Sequence, residues 1–116
     1  MKILGEDRPI NFGMNCWIEY CELRSVSVTE MGEDLQRIGD GGGSGREIRD
    51  LLWAALKDGA RKAKQPFEFD NYDIGDGMDE LSQEELGKFF VEMTESMQSK
   101  VNQNGGTSTK KKKAAA

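Results

Sequence analysis

Histidine is absent from the 116 residues, and cysteine and proline appear only twice each. Without histidine the chain lacks the commonest general base near neutral pH and the commonest metal-ligating side chain. Catalysis therefore starts from a poor supply of groups, and neither a catalytic residue nor a metal or other cofactor is expected. Cys16 and Cys21 are too few for a disulfide framework, and at five residues' spacing they stand about 140° apart around a helix. They are read as buried thiols. No run approaches the roughly 20 apolar residues of a membrane span, and Met1-Lys2-Ile3-Leu4 passes straight into Gly5-Glu6-Asp7-Arg8 without a signal-peptide core. A soluble, cytoplasmic protein with no membrane partner is expected.

What the chain has in quantity is charge, 21 acidic against 16 basic residues for a net charge of −5. Lys110, Lys111, Lys112 and Lys113 sit together near the end, so residues 1–109 hold 12 basic against 21 acidic side chains. The stretch from Phe67 to Ser96 carries ten carboxylates against Lys88, whereas Gly45 to Gln65 is net positive. Such a dipolar body suits head-to-tail self-association into a homo-oligomer, or docking on a basic protein. It does not suit a nucleic-acid partner, which calls for a contiguous basic patch on the folded domain.

The pattern along the chain predicts a mainly α fold, a small domain of about four helices with a short N-terminal β-hairpin. Met1–Leu4 and Ile10–Phe12 read as the hairpin's strands, joined by the turn-forming Gly5-Glu6-Asp7-Arg8-Pro9. Cys16, Trp17, Tyr20, Cys21 and Leu23 then group at helical spacing over roughly 13–24, with Asn11 or Asn15 available as a cap. Ser27-Val28-Thr29-Glu30 is a capping box that opens a short helix through Ile38. Five glycines in Gly39–Gly45 make a loop. A second box, Ser44-Gly45-Arg46-Glu47, opens a central helix over roughly 45–64, whose Ile48, Leu51, Leu52, Ala55 and Leu56 form the chain's best apolar stripe. Trp53 lies off that stripe, as a core residue or a contact for a partner. Pro66 ends the helix, and Phe67-Glu68-Phe69 reads as extended.

Two motifs fail on inspection. The glycine run lacks the Lys-Ser or Lys-Thr of a phosphate-binding loop and has Arg46-Glu47 behind it. The segment Asp70–Leu81 resembles a calcium loop in composition, yet no register places oxygen ligands at positions 1, 3 and 5 with Gly at 6. Its Asp70, Asp73, Asp76, Asp79 and Glu80 read as an acidic face. A third capping box, Ser82-Gln83-Glu84-Glu85, opens a last helix over roughly 82–101, striped by Leu86, Phe89, Phe90, Met93 and Met97. These side chains serve as core or as an adaptable partner groove. Residues 1–101 are thus one compact domain, and residues 102–116 a disordered Lys-rich tail.

The order of these features resembles the tail assembly chaperones of long-tailed bacteriophages. The match rests on the N-terminal strand pair, the helix Asn15-Cys16-Trp17-Ile18-Glu19-Tyr20-Cys21, the central Leu51-Leu52-Trp53-Ala54-Ala55-Leu56 and the acidic C-terminal helical part. The resemblance implies a non-enzymatic protein of the host cytoplasm that binds the tape measure protein, recruits tail tube subunits during virion morphogenesis and self-associates. Trp53, Phe89, Phe90, Met93 and Met97 would be its partner-binding residues. A different class remains open, a small acidic inhibitor that imitates nucleic acid and blocks a host enzyme with the carboxylates between Glu68 and Glu95.

Overall fold

The structure, a computed structural model, describes residues 1–105, with side chains through residue 97. Two short strands, β1 (Lys2–Ile3) and β2 (Glu6–Asp7), precede five helices: α1 (Met14–Arg24), α2 (Val28–Gly39), α3 (Gly45–Lys62), α4 (Asn71–Met78) and α5 (Gln83–Gly105). The mainly α fold with an N-terminal hairpin is as expected. The chain groups into two compact units, the first Met1–Leu86 and the second beginning at Gly87, so the division falls within α5.

The hairpin is tighter than the sequence pattern suggested. Lys2 pairs with Asp7 and Ile3 with Glu6 in antiparallel register, which leaves Leu4 and Gly5 as a two-residue loop. Both have positive φ, 55° and 82°, the sign that a loop of this length needs to follow the strands' twist. Glu6 and Asp7, expected in the turn, therefore form the second strand, and Ile10–Phe12 lies outside any strand.

Capping fixes the helix starts. The Ser27 and Ser44 side chains each accept the N–H of the residue three places on, and Glu30 and Glu47 reciprocate. Helix α1 starts differently: neither asparagine caps it, and Gly13 occupies the cap position without a side-chain bond. Asn11 instead donates to Asp58 at 2.8 Å.

Helix α4 is the element the apolar pattern did not disclose. Asp70 and Asp73 form a capping box made wholly of aspartates, and Ile74 and Gly77 are buried on the helix's inner side. Gly77 is there because the hairpin comes close: a Cβ at that position would lie 2.8 Å from Ile3 Cγ1. At the far end, α5 continues through residues 102–105, four residues whose composition predicts a tail. The remainder of that tail, residues 106–116, lies outside the described residues.

The core of the first unit is built around α3. Leu51, Leu52, Ala54, Ala55 and Leu56 are buried, joined by Cys16, Trp17 and Tyr20 from α1, by Met31, Leu35 and Ile38 from α2, and by Ile3 and Phe12. Apolar side chains thus surround most of α3, which is how a central helix differs from a surface one.

Candidate functional site

Helix α3 also buries three carboxylates, Glu47, Asp50 and Asp58. Each joins α3 to a different part of the chain. Glu47 accepts from Ser44 N–H at 2.9 Å and from Arg37 Nη2 on α2. Asp50 accepts from Arg24 at the end of α1 at 3.1 Å, from Arg49 Nε at 3.0 Å and from Asn71 at the start of α4 at 3.1 Å. Asp58 accepts from Asn11 at 2.8 Å, from Gly13 N–H at 3.3 Å and from Arg61 Nη2 and Nε at 2.7 and 3.1 Å. These acids are structural fastenings, and their bonds explain how buried charges are tolerated.

Burial alone pushes the Asp58 carboxyl up, but the Asn11 amide, the Arg61 guanidinium and the Gly13 N–H outweigh it and hold the group below its ordinary range. Glu47 behaves likewise: burial raises it, and the Ser44 backbone N–H together with Arg37 brings it below its usual value. With the folded value depressed, the unfolded chain binds more protons in acid. The stabilisation is therefore complete above the ordinary carboxylate range, about pH 4, and declines as pH falls through it toward the folded values. A urea midpoint that is flat from neutral pH to about pH 5 and drops below about pH 4 is expected. Asp58→Asn should flatten part of that drop.

The residues expected to meet a partner are placed as follows. Trp53, half-buried on α3, donates its indole N–H to the Phe69 carbonyl at 2.9 Å, and Lys57 Nζ stands 4.9 Å above the ring centre. It anchors the extended segment before α4. On α5, Phe89 and Met93 are each only 1% exposed, while Phe90 and Met97 are half-buried. The Phe89 and Phe90 rings meet edge-on at 5.8 Å between centres. Phe89 and Met93 thus offer almost no surface as they stand.

In the acidic stretch, Asp70 and Asp73 accept each other's backbone N–H groups in the α4 cap, at 2.8 and 3.0 Å. Asp76, Asp79 and Glu80 are exposed. Among the described residues no group of three His, Cys, Asp or Glu side chains is arranged to hold a metal ion. Neither cysteine is in a disulfide: Cys16 is buried, and Cys21 is half-buried with its thiol 3.5 Å from Met31 Sδ. Burial and the Asp34 carboxylate push the Cys21 thiol up, away from reactivity.

Most of the exposed apolar side chains lie at positions the periodicity did not single out; Leu23, which the helical spacing grouped with the buried side of α1, is the exception. Met14 and Ile18 on α1 are 65% and 44% exposed, Val28 at the start of α2 is 73%, and Leu23 is 38%. Tyr72 on α4 is 70% exposed, with the Arg49 guanidinium 4.9 Å over its ring. Beside the α1 residues, within the first unit, a cleft of about 320 Å³ runs between α1 and the end of α3. It is lined by Asn15 and Glu19 from α1, Lys57, Asp58 and Arg61 from α3, and Gln65 and Phe67 beyond. A second hollow of about 260 Å³ lies between the hairpin and the start of α5.

No protein-family model, curated protein or solved structure matches the chain. No described helix is long and apolar enough to cross a membrane.

Proposed function

We propose that the chain is a tail assembly chaperone of the long-tailed phage type. It binds the tape measure protein in the host cytoplasm and keeps it soluble while tail tube subunits are recruited. The observation that carries this reading is the exposed apolar surface of α1: Met14 and Ile18, one helical turn apart, are 65% and 44% exposed on an otherwise acidic chain. Apolar side chains presented at i and i+4 suit contact with another protein's apolar segment, and the surrounding carboxylates favour solubility of the complex. The inhibitor reading draws less support, because Asp70 and Asp73 are occupied by the α4 cap.

Co-expression with the tape measure protein of the same gene neighbourhood tests the proposal. The tape measure protein should move from pellet to supernatant in the presence of the chain. Ile18→Asp should reduce that recovery several-fold while its circular dichroism and melting match the parent, since the side chain contributes little to the core. A tape measure protein that aggregates equally with and without the chain overturns the reading.

A further inference from the structure

We infer that the cleft between α1 and the end of α3 is a docking groove for an amphipathic helical segment of another protein, one whose apolar ridge is flanked by carboxylates. The inference rests on the chaperone reading in taking the occupant to be a protein, and it names the chemistry of the segment bound.

The walls supply the shape. Asn15 and Glu19 on one side, and Lys57 and Arg61 on the other, each stand four residues apart on their own helices. Both walls therefore repeat at one helical turn, the spacing into which the side-chain ridge of a third helix fits. Half-buried Phe67 contributes an apolar ring at the end of the cleft, and Met14 and Ile18 continue the apolar surface one step around α1. Each lies about 100° from its neighbour Asn15 or Glu19.

The charges select the occupant. Glu19 is paired with Lys57 at 3.0 Å and Asp58 with Arg61 at 2.7 Å, so the four charges in the lining balance, and in each pair the cation is the more exposed member. The cations are not withdrawn from solvent: the Lys57 and Arg61 side chains remain 41% and 56% exposed. Lys62 and Lys64, both exposed, follow directly at the end of α3. An incoming segment thus meets apolar side chains along α1 and an accessible cationic rim along α3. Carboxylates beside its apolar ridge satisfy both; lysines there are repelled.

The test uses the full chain, isotopically labelled, and two synthetic helical peptides of roughly 20 residues. Both carry leucines at i, i+3, i+4 and i+7; one has glutamates flanking the leucines and the other lysines. The glutamate peptide should shift amide signals clustered at 14–19 and 57–67, and should bind about tenfold tighter than the lysine peptide. Lys62→Glu combined with Lys64→Glu should reverse that preference without altering the fold. Equal binding of both peptides, shifts centred elsewhere, or no binding at millimolar peptide overturns the inference. Self-association of the unliganded chain that is abolished by the same double variant would make a second copy the occupant, which also overturns it. Neither peptide contains tape measure sequence, so failure here leaves the co-expression result standing, and failure there leaves the groove's charge preference measurable.

Discussion

Gly59→Ala should cost the protein about 3 kcal/mol or more of unfolding free energy, although replacing glycine by alanine inside a helix ordinarily gains about 1 kcal/mol. The reversal comes from backbone proximity. A Cβ at position 59 would lie 2.2 Å from the Pro9 carbonyl oxygen, 2.5 Å from its carbon and 2.7 Å from Ile10 Cα. None of these atoms belongs to a side chain that can turn away. The segment is also held in place, with Asn11 N–H donating to the Ala55 carbonyl at 3.1 Å and the Asn11 amide donating to Asp58. Relieving the clash therefore means lifting the whole connection between hairpin and α1 off α3. Urea unfolding followed by circular dichroism measures the loss. Gly32→Ala on α2 is the control, because nothing lies within 4 Å of its Cβ and the residue is exposed. It should be neutral or slightly stabilising. If Gly59→Ala were as stable as Gly32→Ala, the close approach of Pro9 to α3 would be disproved.

That glycine illustrates which parts of the fold a sequence discloses. Ser27 and Ser44 announce their helices because a capping box is local: both partners lie within four residues. The stripe on α3 is visible for the same reason. Gly59 carries no such mark, since its requirement is set by Pro9, fifty residues away. The buried acids are a middle case. Asp58 lies within about 20° of Leu51 around α3, on the apolar face, so its position was readable as an anomaly. Its partners Asn11 and Gly13 were not, being more than forty residues distant.

Helix α4 is poorly legible in the sequence because its cap pairs two aspartates and its eight residues include Gly75 and Gly77, which count against a helix. Composition displayed its carboxylates, and composition does not distinguish an acid that caps from an acid that waits for a partner. The candidate contact surface was hidden by a related limit. Periodicity finds the apolar side of a helix and assigns it to the core, and that holds for Cys16, Trp17 and Tyr20. Met14 and Ile18 are apolar on the opposite side, where their number is too small to produce a periodic signal. Their exposure emerges only once the covered face of α1 is known.

Asp50→Ala is expected to destabilise the protein by about 3 kcal/mol, mainly through what it leaves behind. Asp50, 3% exposed, is the shared acceptor for groups from α1, α3 and α4. Arg24 loses most by its removal. That side chain is only 21% exposed, and its Nε is already buried without a hydrogen-bond partner. Without the carboxylate, a guanidinium mostly withdrawn from water loses its hydrogen-bonded counter-charge, and the Asn71 amide loses its acceptor near the start of α4. Asp50→Asn should cost less, because it keeps the shape and one carbonyl oxygen. The decisive comparison adds Arg24→Met to Asp50→Leu. Removing both charges together should recover most of the loss seen in Asp50→Ala, since a buried ion pair replaced by apolar side chains of similar bulk is often close to neutral. Chemical denaturation of the parent, Asp50→Ala, Asp50→Asn, the single variants Arg24→Met and Asp50→Leu, and the double variant measures this directly. If the double variant were as unstable as the sum of its single changes, the bonds themselves, and not the stranded charge, would be the source of the stability at this junction.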